Sequence, residues 1–331
     1  MPATESPTVV AGLDPTVARI LAAGLRAPSA HNAQPWRLVA VGLRTVELHY
    51  DYRDYLPYDP DDRDAYLAMG AFAETIALAA QRHGHVAEMR RRFARDGADL
   101  RVCDVAFRPA LPDEPVDPLA EAAADRHTNR SAYDSTPVPE ALREALGGLG
   151  NVMVPPRAMA RLVARASTLS WRDARFVGDL RRWTHGDPAS PSGMTPHALP
   201  LTRLEWAALR VAFRVGRLPA PAAALYSSRD RRLLRTSVAV CVLGAPSLEP
   251  ADLFDAGRRL LRSWVTVGGA GWACHPISIA VDRPETAPEV ATLAGVPVPV
   301  AVYRIGHPKA TVPRSNRRRL AEVLGGSSDH R

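Results

Sequence analysis

A short loop at residues 28–36 concentrates polar side chains between two prolines. Proline fixes its own φ, so Pro28 and Pro35 stiffen the loop and pre-position the donors and acceptors between them. Those polar residues are Ser29, His31, Asn32 and Gln34. Neutral amides and hydroxyls have little acid–base power, and they suit the carbonyl and imide edges of a planar heterocycle. The alternative interpretation is an elaborate loop that only caps a strand.

A second segment, at residues 126–130, carries two guanidinium groups and one hydroxyl at alternate positions. The residues are Arg126, Thr128 and Arg130. In an extended backbone, alternate side chains point to the same side. Two guanidinium forks and a hydroxyl on one face would bind a phosphomonoester well. The alternative is that these arginines are solvated beside a proline-rich linker.

Two weaker segments could contribute to the same site. In the first, at 274–278, Pro276 stiffens the backbone, so nearby N–H groups could be aimed at a ligand; the alternative is a plain turn from helix to strand. The second, at 306–318, could bring more positive charge to the same phosphate; the alternative is a disordered basic tail. Its candidate arginines are Arg314, Arg317 and Arg318.

The composition indicates a globular protein of about two domains. The chain has 331 residues, of which 46% are hydrophobic and 23% charged. The net charge is +7, but aromatic residues make up only 6% and no helix-turn-helix or RNA-binding signature is present, so a nucleic-acid partner is not expected. The three cysteines lie far apart, which argues against a disulfide framework or a zinc site, and no metal is expected.

Other motifs of common enzyme classes are absent. The sequence has no G-x-S-x-G elbow, no P-loop and no H-E-x-x-H pair. The glycines at 268–271 close a predicted helix instead of opening one, which argues against a dinucleotide-binding loop. No run of 18 apolar residues and no signal peptide is present, so we expect a cytoplasmic protein without a membrane partner.

Periodicity and turn residues predict the elements that must position these segments. Helices are predicted over 14–27, 64–84, 157–184, 201–215 and 252–271, with another opening at 138–139. Strands are predicted over 36–41, 45–50, 100–107, 237–243, 277–281 and 298–305. Residues 185–200 are predicted to form a loop long enough for an active-site lid, and 314–331 a basic tail.

Paired glycines fourteen residues apart suggest that the chain contains a duplication. Gly70 and Gly84 lie within one predicted apolar helix, and Gly257 and Gly271 lie at the same spacing within another. Together with a similar helix start at 14–15 and 138–139, this echo suggests two related α+β halves joined near residues 109–118.

The four segments together resemble the FMN-dependent nitroreductase family, and within it the Acg-like actinobacterial branch. The likeness rests on a P-S-x-x-N-x-Q-P-W loop at 28–36 and an R-x-[ST]-x-R motif at 126–130, followed by P-V-P-x-x-L at 137–142. A P-I turn at 276–277 after a helix that ends in glycine, and a basic C-terminal stretch, complete it. Members of this branch hold two diverged nitroreductase repeats in one chain.

This resemblance implies an α+β, nitroreductase-like fold with central mixed or antiparallel sheets flanked by helices. It implies an N-terminal half at 1–115 with the flavin-facing loop. The C-terminal half, at 116–331, would carry the phosphate motif, with a lid at about 185–230. Ordinary family members place FMN between two subunits that each supply one motif. Here each half has only one motif, so the likeness implies one complete FMN site in a monomer or weak homodimer.

The resemblance also assigns roles to individual residues. The phosphate would be bound by Arg126, Thr128, Arg130 and one or more of Arg314, Arg317 and Arg318. The flavin would be lined from the N-terminal half by Pro28, Ser29, Asn32 and Gln34. Its redox edge would lie beside Pro276, Ile277 and Ser278, with a backbone N–H near Ser278 donating to N5. The substrate and lid side would include His31, Met194 and His197.

This sequence departs from the family pattern at three positions, which concern flavin tuning. Ala30 replaces a frequent Ser, His31 a frequent Thr or Gly, and Ser278 a usual acidic residue. No side chain is expected to be catalytic in itself.

The family likeness implies two-electron hydride transfer from NADH or NADPH, through FMN, to a small aromatic, quinone or nitro acceptor. Two alternatives stay open: a storage protein that sequesters FMN under a closed lid, and a biosynthetic flavin-dependent oxidase or dehydrogenase. Bleaching of the flavin by nicotinamide, only by dithionite, or by an organic substrate alone would separate the three.

Overall fold

The computed structural model describes residues 12–54, 56–96, 99–196, 198–199 and 201–325. The helices are α1 (Pro15–Gly24), α2 (Arg63–Arg82), α3 (Leu119–Ala122), α4 (Glu140–Gly148), α5 (Pro156–Trp171), α6 (Ala174–Arg182), α7 (Arg203–Val215), α8 (Ala220–Arg235), α9 (Pro250–Gly269), α10 (Ala287–Ala294) and α11 (Leu320–Val323). The strands are β1 (Trp36–Gly42), β2 (Thr45–Tyr50), β3 (His85–Asp96), β4 (Asp99–Pro109), β5 (Asn151–Val154), β6 (Ala239–Ala245), β7 (Ala273–Pro276), β8 (Val298–Gly306) and β9 (Leu324–Gly325).

These strands form two separate sheets. The first has the order β3-β4-β2-β1-β9 and is antiparallel except for the parallel pair β1–β9. The second has the order β5-β6-β8-β7 and is antiparallel throughout. The predicted α+β class, with one mixed and one antiparallel sheet flanked by helices, is therefore confirmed.

Local sequence explains the first elements well. The Asp14 carboxylate accepts hydrogen bonds from the backbone N–H groups of Thr16 and Val17, and Pro15 occupies the first helical position of α1. The strands β1 and β2 then pair in the register Trp36↔Tyr50. This arrangement places the loop 28–35 directly between a buried helix and a buried strand.

Two predicted elements are wrong in detail, and in each case a side-chain hydrogen bond ends the regular element. The helix predicted over 157–184 is interrupted, because Asp173 leaves the helix and caps α6 through the Arg175 N–H, at 2.9 Å. The strand predicted over 277–281 is instead β7 at Ala273–Pro276, followed by a 3₁₀ turn. There the Ser278 hydroxyl bonds both the N–H and the carbonyl of Val302, at 3.2 and 3.3 Å, and so takes the place of the next ladder residue.

Sequence patterning missed the strand β3 and misjudged the C-terminal stretch. The strand β3 is an edge strand rich in arginine, so the alternation typical of a half-buried strand is weak there. The stretch predicted as a basic tail runs back to the first sheet, where Leu324 of β9 pairs with Leu38 of β1. Its segment 314–318 is thereby held next to the loop 28–35.

One hydrophobic core connects both sheets. Its largest cluster includes Leu48 and Phe72 from the first half of the chain together with Phe254 and Tyr303 from the second. Within the described residues, no helix combines the length and the apolar character needed to cross a membrane.

The long helices α2 and α9 cross at the centre of this core with glycine at both contacts. A Cβ atom on Gly70 would lie 1.9 Å from the Phe254 carbonyl oxygen, and one on Gly257 would lie 2.1 Å from that of Leu67. The contact is reciprocal, because each glycine meets the backbone three residues before the other. These are two of the glycines that suggested a duplication.

We predict that Gly70→Ala and Gly257→Ala each destabilise the fold by at least about 2 kcal/mol, because a methyl group would push the two helix backbones apart. Urea unfolding would measure the change. Gly178→Ala on α6 is the matched control, since a Cβ there meets nothing within 4 Å. Wild-type stability of both core variants would contradict the close approach of the helices.

Candidate functional site

A cavity of about 380 Å³ lies where loops from both sheets and the C-terminal stretch meet. This volume lies within the range of small-molecule and cofactor sites. Twelve of the residues predicted from the sequence line it: Pro28, Ser29, His31, Asn32, Arg126, Thr128, Arg130, Met194, Pro276, Ile277, Ser278 and Arg317. The structure therefore brings together segments that lie far apart in the chain.

Three of the other four predicted residues do not line this cavity. Gln34 is fully buried and holds two segments together instead, donating to the Pro191 carbonyl at 2.8 Å and accepting from the Arg318 N–H at 3.0 Å. The Arg318 guanidinium pairs with Asp54, and Arg314 pairs with Asp125 at the surface. The fourth, His197, lies outside the described residues.

The loop 28–35 has a constrained backbone. His31, Asn32 and Gln34 all have positive φ, at 51°, 58° and 57°, a region that residues other than glycine seldom adopt. The Ser29 hydroxyl accepts from the Gln34 N–H, and the Asn32 amide donates to the carbonyls of Gly193 and Asn316 at 3.2 Å each. The other amide atom, Asn32 Oδ1, is buried without a partner, so the strained loop presents an unused acceptor.

The loop 185–196, predicted as a lid, lies against this strained loop. The Gly193 N–H donates to the Asn32 carbonyl at 3.1 Å, and the Asn316 amide donates to the carbonyls of Pro188 and Ser190. Gly193 has a φ of 76°, and a Cβ there would lie 2.2 Å from the His185 ring. The rest of the predicted lid, up to residue 230, contains the helices α7 and α8, of which α8 bonds α5 through Ser227 and Thr168.

The segment 126–130 lies beside β7, and its first residue, Arg126, contacts the first half of the chain. The Asn129 N–H donates to the Cys274 carbonyl at 3.0 Å, and Thr128 forms a parallel bridge with Cys274. At the start of the segment, Arg126 Nη2 donates to the Arg26 carbonyl at 3.0 Å.

Three arginines crowd one end of the cavity, and we call them the arginine group: Arg26, Arg126 and Arg317. Their guanidinium groups donate to backbone carbonyls, such as those of Ser315 and Ala27. Across residues 12–325, less the few that are not described, no carboxylate forms an ion pair with any of the three. Carbonyl oxygens satisfy donors but do not neutralise charge, so this end of the cavity is strongly positive.

Burial and mutual repulsion disfavour the charged form of these arginines. Desolvation, and then the nearby Arg26, lower the pKa of Arg126 to about 10. The pKa of Arg317 is lowered by desolvation and by the other two members of the group. Two donors, Arg126 Nη1 and Arg317 Nε, are buried without an acceptor. Such a cluster of unneutralised donors is suited to an anion.

Arg130 and His275 lie further along the cavity. Desolvation lowers the pKa of Arg130 to about 10, and the side chain donates to the Ala198 carbonyl. The Arg304 Nε donates to His275 Nδ1 at 3.0 Å, which leaves the proton of the neutral imidazole on Nε2. Desolvation and the neighbouring arginines hold the pKa of His275 well below its usual value, so its Nε2–H is a neutral donor.

Four carboxylates line another part of the cavity, its acidic end, and we call them the carboxylate group: Asp59, Asp64, Asp179 and Asp282. Asp59 accepts from the backbone N–H groups of Asp64 and Ala65 and thereby caps α2. The buried Arg63 bridges Asp64 and Asp282 at 2.8 and 2.5 Å. Three of the four carboxylates therefore have strong partners within the protein.

Asp179 differs from the other three. It is 4% exposed, and its Oδ1 has no hydrogen-bond partner. Its Oδ2 lies 4.0 Å from His31 Nε2, which is too far for a hydrogen bond. Desolvation raises the pKa of Asp179 to about 6 and lowers that of His31 to about 4, so at neutral pH the carboxylate is charged and the imidazole is neutral.

Sequence reasoning missed the carboxylate group, Arg26 and His275. Arg26 precedes Pro28 by two residues and His275 precedes Pro276, so both adjoin segments that were singled out. Asp59 and Asp64 lie just before and at the start of the helix predicted over 64–84, where acidic residues are common for helix capping. The residues around Asp179 in the sequence do not indicate a role for it, because its position in the cavity wall depends on how α6 packs.

We predict that Asp179→Asn stabilises the apoprotein by roughly 1–3 kcal/mol at pH 8, because the substitution removes a buried charge whose desolvation outweighs its favourable contacts with Tyr58 and Arg182. Its pKa is raised above the ordinary 3.8, so the native state loses stability as pH rises from about 4 to about 6 and keeps that penalty above it. The gain should therefore vanish near pH 4. Urea unfolding at both pH values measures it.

Asp51→Asn is the matched control for that experiment. Asp51 is also buried, but its hydrogen bonds from Arg53 outweigh desolvation and lower its pKa. This substitution should therefore destabilise the protein at pH 8. A loss of stability at pH 8 in Asp179→Asn would contradict the assignment of an uncompensated charge to that carboxylate.

Comparison with known proteins agrees with the motif-based interpretation. Residues 14–57 match the model of the nitroreductase family. The chain is 27% identical over 326 residues to the putative NAD(P)H nitroreductase Rv3131 of Mycobacterium tuberculosis, covering 93% of this chain and 91% of the relative. It is 28% identical over 328 residues to the putative NAD(P)H nitroreductase acg of the same organism, covering 92% and 94%.

Among solved structures, the fold is similar to that of a putative nitroreductase from Anabaena variabilis. The TM-score is 0.48 at 10% sequence identity, over 92% of this chain and 90% of the other. The sequence matches confirm the resemblance inferred from the motifs: residues 14–57 match the nitroreductase family, and most of the chain is similar to mycobacterial proteins named as putative NAD(P)H nitroreductases, acg among them.

Proposed function

We propose that this protein is an FMN-binding oxidoreductase that transfers a hydride equivalent from NADH or NADPH to a small aromatic, quinone or nitro acceptor. The observation that carries the proposal is the arginine group, which leaves positive charge and free donors in a cavity also lined by the strained loop 28–32. The names of the mycobacterial relatives support NAD(P)H as the reductant.

The residues at the positive end fit a phosphomonoester. Arg126 Nη1 and Arg317 Nε lack acceptors, and a phosphate dianion offers three acceptor oxygens and the missing negative charge. Thr128 lines the same cavity and adds a hydroxyl donor. In this proposal Arg26 joins the phosphate site, while Arg314 and Arg318 stabilise the surrounding segments through their own ion pairs.

The middle of the cavity fits a planar ring system. Apolar wall is supplied by Leu67, Ala68 and Trp264, and the unpartnered Asn32 Oδ1 could accept from an imide N–H. The Ser278 N–H, at the start of a 3₁₀ turn, has no acceptor within that turn. It is the backbone donor that we assign to the redox edge of the ring.

When bound, FMN supplies the hydride chemistry, and the protein supplies binding, orientation and electrostatics. The arginine group holds the phosphate and contributes positive potential along the cavity. The His275 Nε2–H is a fixed neutral donor, because Arg304 occupies its other ring nitrogen. The loop 185–196 limits access of water from the side of Asn32.

We further propose that this site is shared by two halves of one chain, at 1–115 and 116–331. The loop 28–32 and Arg26 come from the first half, and Arg126, the turn 276–278 and Arg317 come from the second. The reciprocal glycine contacts between α2 and α9 support a two-fold relationship between the halves.

FMN sequestration without turnover is the second candidate function. It is favoured by the hydrogen bonds that join the loop 185–196 to Asn32, Gln34 and Asn316. If this loop does not open, a nicotinamide ring cannot reach the cofactor.

We predict that Arg126→Ala combined with Arg317→Ala weakens FMN binding by about a hundredfold or more, because two charge-assisted interactions are lost. Flavin absorbance after gel filtration and titration calorimetry with FMN would measure the loss. The matched control removes two other guanidinium groups, Arg91→Ala with Arg92→Ala, from the surface strand β3. Equal FMN retention in both variants would rule out the phosphate assignment.

We also predict that NADPH or NADH bleaches the flavin absorbance of the FMN-loaded protein anaerobically, and that a nitroaromatic or quinone restores it. Stopped-flow absorbance would follow both half-reactions. Bleaching by dithionite but by neither nicotinamide would instead support sequestration. This readout separates the two candidates because both require FMN to bind.

A further inference from the structure

The cavity has opposite charge at its two ends. The arginine group lies at one end, and at the other the carboxylate group has a single hydrogen-bonded cation among the described residues, Arg63. His31 lines the same cavity, with its Nε2 4.0 Å from Asp179 Oδ2. Asp230 also lines the cavity, but it faces Arg229 and accepts from Ser167.

Among the described side chains at the acidic end, Asp179 Oδ1 is the only carboxylate oxygen that is buried without a hydrogen-bond partner. The positions of Asp59, Asp64 and Asp282 are explained by the helix cap and by Arg63. The Tyr58 N–H and the charge of Arg182 support the Asp179 carboxylate, but no donor reaches its Oδ1. A buried carboxylate oxygen without a partner, in the wall of a cavity, offers an acceptor to a donor on a ligand.

The surroundings of Asp179 suit an aromatic body with a cationic head. Phe176, Asp179 and Leu180 lie on one face of α6 and all line the cavity. Tyr58 adds a second ring, packed edge-on against Phe176 with centroids 5.0 Å apart. No cluster of three or more metal-ligating side chains occurs among the described residues, which favours an organic cation over a metal ion.

We propose that Asp179 and the carboxylate group form a subsite for a protonated amine on the electron-accepting substrate, which would therefore be a small aromatic ammonium compound. That the bound ammonium compound is a substrate rests on the proposed function, whereas the binding subsite itself follows from the cavity. Phosphate-bearing ligands are repelled from this end, so it complements the phosphate site instead of duplicating it.

A series of three nitroaromatics of similar size tests the proposal. Titration calorimetry at pH 7.5 would measure the binding of 4-nitrobenzylamine, which is protonated there, of 4-nitrobenzyl alcohol and of 4-nitrobenzoate. We expect the ammonium compound to bind roughly tenfold tighter than the alcohol, and the benzoate to bind most weakly. Equal affinity for the ammonium compound and the alcohol would overturn the proposal.

Substitution of the key carboxylate then assigns the preference to one residue. In Asp179→Asn the advantage of the ammonium compound over the alcohol should disappear, whereas Asp51→Asn, outside the cavity, should keep it. Persistence of the preference in Asp179→Asn, with or without a change in FMN affinity, would overturn the assignment. If that variant does not fold, the wild-type series still decides whether the subsite exists.

The measurement is made on both the FMN-saturated protein and the apoprotein, without a nicotinamide. A protein that binds FMN but shows no turnover can therefore still show the charge preference, and a protein that turns over can lack it. Failure of this inference and failure of the proposed function thus give different results.

Discussion

Three guanidinium groups share one enclosed end of a cavity with no described carboxylate to neutralise them, and the rest of the site is arranged around that constraint. Each belongs to a different segment: Arg26 follows α1, Arg126 precedes an extended segment beside β7, and Arg317 lies on the C-terminal stretch. Mutual repulsion would separate these segments if the shared core and the α2–α9 crossing did not hold them. The folded apoprotein therefore contains electrostatic repulsion among the three arginines, and a bound anion would reduce it.

The acidic end of the same cavity contains a buried negative charge that is not fully compensated. Asp179 is charged at neutral pH without a partner on Oδ1, and the neutral His31 lies beside it. Polar groups left unsatisfied in this way are rare in native structures and concentrate where ligands bind. Together, the two ends define a cavity that is selective for the orientation of a ligand as well as for its shape.

The sequence predicts those parts of the site in which several polar residues lie close together along the chain. The loop 28–36 and the segment 126–130 carry their donors within a few residues, so their roles can be inferred before any contact is known. Asp179 could not be found this way, because burial without a partner is a property of packing. The strand expected at 277–281 was wrong for a similar reason, since the Ser278 hydroxyl replaces a ladder bond that only the neighbouring β8 reveals.

The assembly of this cavity from one chain has a thermodynamic consequence. A binding site formed between separate subunits loses its ligand on dilution, because dissociation of the subunits destroys it. Here Asn32 and Arg126 are joined covalently and also packed through α2 and α9. The occupancy of the site should therefore depend only on free ligand, and remain the same in a cell that contains few copies of the protein as in one that contains many.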